Sequence, residues 1–90
     1  MEYPLLDLKA TGERIRKLRI ERHIRVEDIS SYMGFESPQA VYKWQRGDSL
    51  PTVDNLYALS RLFRIPIDNI LVPIREEDAS LPLHILELSA

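Results

Sequence analysis

The chain has 90 residues, of which 44% are hydrophobic and 29% charged, so it can form one small domain with a modest core. This size excludes a two-domain enzyme with an interdomain cleft, and the absence of cysteine excludes disulfides, thiolate metal ligands and a cysteine nucleophile. The start lacks the basic region of a signal peptide and no apolar run could span a membrane, so we expect a cytoplasmic protein without a membrane partner.

The first two elements are expected to be short helices. Thr11 is a candidate N-cap for a helix that reaches about Arg22. A second helix covers Val26–Met33, and Gly34 can adopt the left-handed conformation that ends it. The apolar residues expected to face inward are Ile15, Leu18, Ile29 and Met33.

Three further helices are predicted downstream. Ser37 is expected to cap the third helix, Pro38 fits its first position, and Gly47 follows its end. The fourth helix begins after Thr52, and a fifth of one or two turns covers Ile67–Leu71. The apolar residues expected to face inward here are Val41, Trp44, Leu56, Leu59, Leu62, Phe63, Ile67, Ile70 and Leu71.

These elements predict an all-α fold, a five-helix bundle with short N- and C-terminal extensions. Residues 1–10 form the N-terminal extension, residues 11–71 the bundle, and residues 72–90 a charged linker and an apolar tail. The apolar segment Leu81–Leu88 is compatible with a strand, a short helix packed on the core or a dimer contact.

Charge is distributed unevenly along the chain. The segment Lys9–Arg46 holds nine basic and five acidic residues, a net charge of +4. The segment Gly47–Ala90 holds three basic and seven acidic residues, a net charge of −4. A basic half within a chain of net charge −2 favours an anionic partner on one side of the domain. The basic residues around the first helix, expected to be mostly solvated, are Arg14, Arg16, Lys17 and Arg22.

The outward side of the third helix is chemically suited to read base pairs. Gln39, Tyr42, Lys43 and Arg46 are spaced i, i+3, i+4 and i+7, so they share one side, and none is a carboxylate. Glutamine can bond to adenine N6 and N7, and lysine or arginine to guanine O6 and N7. A short link, Gly34-Phe35-Glu36, joins the second and third helices at a steep angle, as in a helix-turn-helix.

The order and spacing of several segments resemble the lambda-repressor-like (XRE-type) helix-turn-helix family over residues 15–71. The resemblance implies a five-helix bundle and sequence-specific binding of double-stranded DNA in transcriptional control, commonly by a homodimer on a pseudo-palindromic operator. The matching segments are Ile15-Arg16-Lys17-Leu18-Arg19, Val26-Glu27-Asp28-Ile29-Ser30, Met33-Gly34, Val41-Tyr42-Lys43-Trp44-Gln45-Arg46-Gly47, Leu50-Pro51-Thr52, Leu56, Leu59 and Ile67-Asp68-Asn69-Ile70-Leu71.

By position in that family, Gln39 and Lys43 correspond to base-reading residues, with Tyr42 and Arg46 beside them. Arg25 and Ser37 correspond to residues that usually contact phosphate.

The sequence departs from the family pattern at several positions. Val26 stands where a backbone-gripping glutamine is frequent, and Pro38 replaces a polar residue at the start of the third helix. The link after Gly34 is one residue longer than usual. Gln45 replaces a glutamate that pairs with the counterpart of Arg19, and Arg64 replaces a glycine.

Two other functions compete with DNA-binding regulation. A protein-binding adaptor or antitoxin-like regulator would keep the fold without direct DNA contact, in line with the acidic balance and with Val26 and Pro38. An enzyme is disfavoured because no nucleophile–base pair, metal cluster or phosphate loop is present, and His23 and His84 lack partner motifs. No cofactor, metal or small-molecule substrate is expected.

Overall fold

The computed structural model describes residue 3 and residues 5–75, and this part of the chain is helical without strands. It contains α1 (Leu8–Glu21), α2 (Val26–Met33), α3 (Gln39–Arg46) and α4 (Val53–Phe63), followed by a 3-10 turn (Ile67–Asn69). None of these helices combines the length and apolar character that crossing a membrane requires. The predicted charged linker beyond residue 75 and the apolar tail over 81–88 lie outside the described residues.

The predicted inward-facing residues assemble into one core. Met33, Leu62, Ile67 and Leu71 pack at its edge as partly buried side chains. Trp44 is 4% exposed and meets the ring of Phe35 edge-on, with centroids 6.0 Å apart, so it anchors the core. The buried members are Ile15, Leu18, Val26, Ile29, Val41, Trp44, Leu56, Leu59, Phe63 and Ile70.

The first helix starts at Leu8, and the expectation that Thr11 caps it was wrong. The cap is Asp7, whose side chain accepts a hydrogen bond from the backbone N–H of Ala10 at 2.9 Å. Thr11 lies inside α1 and is buried. Its hydroxyl accepts from the backbone N–H of Val72 at 3.0 Å, so this residue serves a long-range contact instead of a local cap.

The entry to α3 also differs from expectation. Ser37 does not cap the helix; Pro38 occupies the N-cap position, without a side-chain hydrogen bond. The carbonyl of Ser37 instead accepts from the Ser30 hydroxyl at 3.0 Å, which ties the loop back to α2. The connection spans residues 34–38, so it is longer than the predicted three-residue link. The glycines at both ends were predicted correctly, since Gly34 and Gly47 have φ values of 76° and 80°.

The expected fifth α-helix does not form, and the described part of the chain has four. The backbone N–H groups of Ile70 and Leu71 bond to the carbonyl of Ile67, but the helix cannot continue because later backbone groups bond to the N-terminal segment. Asp7 donates to the carbonyl of Val72 at 2.8 Å, and Ile74 donates to the carbonyl of Leu5 at 2.8 Å. This pairing joins the two ends of the bundle.

Arg64 ends α4 in the left-handed conformation, with a φ of 61°. Glycine adopts this conformation without the steric cost that a Cβ imposes, so we expect Arg64→Gly to raise the free energy of unfolding by about 1 kcal/mol. Urea denaturation measures this change. Arg16→Gly, which removes the same charge from the exposed middle of α1, is the control and should lower stability by about 1 kcal/mol. A loss of stability in Arg64→Gly would contradict this account.

Candidate nucleic-acid interface

The α3 helix presents one buried and one exposed side. Val41 is fully buried against the core, as is most of Trp44. The opposite side is exposed, and its four predicted DNA-reading residues line one shallow depression. The structure therefore brings together all members of that set: Gln39, Tyr42, Lys43 and Arg46.

Within that side, Arg46 is bound to Asp48, a pairing that the sequence analysis did not predict. Its Nε donates to Oδ2 of Asp48 at 2.9 Å, and its Nη2 lies 2.9 Å from the same oxygen. Both side chains are more than half exposed. The ion pair fixes the guanidinium at the C-terminal end of α3 and leaves its Nη1 group without a described partner. The sequence signal was the acidic residue directly after the helix-ending Gly47.

Arg25 lies immediately before α2 and is held by Asp28. The Arg25 Nη2 donates to Oδ1 of Asp28 at 3.0 Å, and the Arg25 backbone N–H donates to Oδ2 at 2.9 Å. The side-chain hydrogen bond from Arg25 holds the pKa of the Asp28 carboxyl below its ordinary value. This pair therefore stabilises the folded domain at neutral pH, and that stabilisation is lost as the pH falls through the lowered pKa of Asp28. The Arg25 side chain is still 74% exposed, so a phosphate could reach it.

Two departures from the family pattern can be explained by the packing. Val26 is 4% exposed and belongs to the core, so its side chain offers no polar group to an outside partner. At the other position, Gln45 accepts a hydrogen bond from Nε of Arg19 at 2.6 Å, so a bond to an uncharged amide stands where the family pattern has an ion pair. Arg19 also donates to the carbonyl of Ile24, so it links the end of α1 to α3.

Gly12, which the sequence reasoning did not single out, sets how closely α1 and α3 approach. A Cβ on Gly12 would lie 2.1 Å from the carbonyl oxygen of Trp44 and 2.6 Å from that of Gln45. Only hydrogen fits at this point of the contact. The backbone of α3 is thus seated directly on α1, which positions its outward side chains.

Two of the four basic residues around the first helix, which were expected to be mostly solvated, bind backbone carbonyls. Arg22 is partly buried; its Nε donates to the carbonyl of Phe63 at 2.8 Å, and its guanidinium lies 5.7 Å from the Phe63 ring centroid. Arg14 donates to the carbonyl of Asn69 at 2.6 Å. Part of the basic excess in the N-terminal half therefore binds the ends of other elements, and the exposed remainder is shared between α1 and the region of α2 and α3.

Comparison with known proteins gives one family. A helix-turn-helix family model matches residues 15–70. The P22 c2 repressor protein, solved in complex with a synthetic operator, is 33% identical; the match covers 67% of this chain and 89% of the repressor chain, with a TM-score of 0.61. A search of curated proteins finds no match.

Two more distant structures share the fold. The restriction-modification controller protein C.AhdI from Aeromonas hydrophila is 23% identical, with a TM-score of 0.64 over 71% of this chain and 96% of that one. The clp gene regulator ClgR from C. glutamicum is 14% identical, with a TM-score of 0.60 over 69% of this chain and 79% of that one.

Proposed function

This chain belongs to the helix-turn-helix family, in its lambda-repressor-like (XRE) branch, and we propose that it acts as a homodimer that inserts α3 into the major groove. It is a DNA-binding transcriptional regulator. One observation carries the proposal: the outward side of α3 is exposed and holds an amide, a phenol and two cations without a carboxylate among them.

The proposed roles follow from the chemistry and position of each side chain. Gln39 and Lys43, both exposed near the start and middle of α3, hydrogen-bond to base edges. Tyr42 and Arg46 flank them and contact bases or the adjoining backbone. Arg46 reaches DNA with the part of its guanidinium that Asp48 does not occupy.

Two residues are proposed to contact phosphates. Arg25, fixed by Asp28 at the start of α2, presents its exposed guanidinium to one strand. Ser37 is exposed beside the start of α3, where the first backbone N–H groups have no side-chain cap and are available to a phosphate oxygen.

The alternative of an adaptor without DNA contact is not favoured. The P22 c2 repressor, which shares a third of its matched residues with this chain, was solved on its operator. The two apolar residues at usually polar positions have structural roles, because Val26 fills the core and Pro38 stands at the N-cap just before α3. We propose further that the chain acts as a DNA-binding protein without catalytic activity, and that it acts in the cytoplasm.

Selection of bound sequences from a random duplex library tests the proposal. We expect enrichment of a pseudo-palindrome whose half-sites are centred about 10 base pairs apart, or a multiple of that spacing. Affinity for the selected duplex should fall steeply between about 50 and 200 mM salt, because bound phosphates release counterions. Failure to enrich any duplex, or an affinity that does not change with salt, would refute DNA recognition by this face.

A further inference from the structure

The outward side of α4 carries a stripe of residues with no partner among the described part of the chain. Asp54, Tyr57 and Arg61 are spaced i, i+3 and i+7, opposite the buried side that includes Leu56 and Leu59. Tyr57 is 58% exposed. We call Asp54, Tyr57 and Arg61 the α4 stripe.

Two exposed apolar neighbours widen this surface. Val53, one turn before Tyr57, is 78% exposed, and Tyr32 of α2 is 52% exposed. Tyr32 lines a depression together with Arg61, so the two residues belong to one continuous surface. Tyrosine and arginine are enriched in protein–protein interfaces. The surface holds Tyr32, Tyr57 and Arg61, which are residue types that favour such a contact.

The charges of the α4 stripe cannot neutralise each other within one molecule. Asp54 and Arg61 are seven residues apart, which places them about 10 Å from each other along the helix. Neither makes an ion pair or hydrogen bond with any of the residues that the structure describes. An acid at the start and a base at the end of one stripe are complementary to a second copy running in the opposite direction.

We propose that a second copy of this chain packs its α4 antiparallel on this surface, across a two-fold axis that passes beside Tyr57. In this register Asp54 of each copy faces Arg61 of the other, so two identical ion pairs form. The same register places Tyr57 over Ala58 of the second copy, whose small side chain leaves room for the ring. The contact is isologous, as a two-fold dimer requires.

This inference rests on the proposed function and names the surface through which the homodimer forms. The contact is built mainly on one 11-residue helix, which is about 16 Å long, so it lies at the low end of interface sizes. Such a dimer is weak in solution and becomes strong on an operator, because the second half-site is then bound from within the same complex.

A charge-reversal cycle on the full chain tests the inference. We expect Asp54→Arg and Arg61→Asp each to raise the dimer dissociation constant in sedimentation equilibrium by about tenfold, because symmetry applies each change twice. The double variant, with both charges exchanged, should regain the parent dissociation constant. Glu13→Arg, on the exposed side of α1, is the control and should leave it unchanged. Thermal unfolding of each variant establishes that it is folded.

Two results would overturn the inference. One is that the parent chain stays monomeric at millimolar concentration. The other is that neither single charge reversal changes the dissociation constant of the dimer, as expected if the segment 81–88 forms the contact. Binding to a duplex with one half-site separates this inference from the proposed function. Asp54→Arg should bind that duplex as the parent does, whereas no binding by the parent itself would refute the function.

Discussion

Replacement of both Gln39 and Lys43 by alanine is expected to abolish specific operator binding and to leave the domain folded. Each good bidentate contact with a base contributes about 1–3 kcal/mol of discrimination, so the double variant should lose about 2–6 kcal/mol of specific binding free energy. Both side chains are exposed on α3 and make no described hydrogen bond, so Tm should change little. Fluorescence anisotropy on the selected duplex and on a scrambled duplex measures the loss.

The scrambled duplex and a charge-matched variant serve as controls, because they separate a loss of base recognition from a loss of charge. Lys17→Ala removes one positive charge, as the double variant does, but from the exposed side of α1. Lys17→Ala should lower the affinity for both duplexes slightly and equally, because it changes only the electrostatic attraction to phosphates. If the double variant kept the discrimination of the parent between the two duplexes, Gln39 and Lys43 would not be the base-reading residues.

Gly12→Ala is expected to destabilise the domain more than the same substitution at either of the other glycines, Gly34 and Gly47. The new Cβ would lie 2.1 Å from the carbonyl oxygen of Trp44, and the other nearest atoms are also backbone, so no side chain can move aside. To relieve the clash, α1 and α3 must separate, which disrupts packing around Trp44. We expect a loss of about 3 kcal/mol, at the upper end of the usual range for overpacking, measured as the free energy of unfolding in urea.

Gly34→Ala is the matched control. Gly34 has a φ of 76°, and no heavy atom lies within 4 Å of the position its Cβ would take. The same substitution there incurs only the cost of the left-handed conformation, about 1 kcal/mol. Equal losses at Gly12 and Gly34 would show that the close approach of α1 to α3 is not what Gly12 provides. Because α3 rests on this contact, Gly12→Ala should also weaken DNA binding wherever it remains folded.

These two predictions depend on information of different kinds. The proposed base-reading residues Gln39 and Lys43 were predicted from the spacing of polar residues opposite Val41 and Trp44, since helical periodicity separates the two sides of α3. Gly12 carries no such pattern, because its importance comes from the backbone of another helix. A glycine inside an amphipathic helix does not reveal which element approaches it.

The same division explains the corrections to the fold. Thr11 was expected to be a cap because threonine is common there, yet its hydroxyl binds Val72, 61 residues away. The fifth helix was expected from apolar spacing over 67–71, but the backbone beyond it pairs with the N-terminal segment. In both places a long-range hydrogen bond replaced the local arrangement that the residue types favour.

The charged residues show most clearly what the sequence does not determine. The net charge and the basic N-terminal half can be counted from the sequence, but counting does not separate a solvated arginine from one bound to a carbonyl. Arg14 and Arg22 close the ends of other elements, whereas Arg25 and Arg46 stay exposed beside acidic partners. Each assignment depends on which group lies within about 3 Å, and the chain path sets that distance.

The amino-acid sequence by itself determined the all-helical class, the inward-facing residues, the glycine ends of α2 and α3, and the polar outward side of α3. These follow from periodicity and backbone preference, which act over a few residues. Tertiary structure alone decided where α1 begins, how α3 is seated, which arginines bind backbone carbonyls and why the last helix stops after one 3-10 turn. These depend on hydrogen bonds and steric contacts between segments far apart in the chain, and no local pattern encodes them.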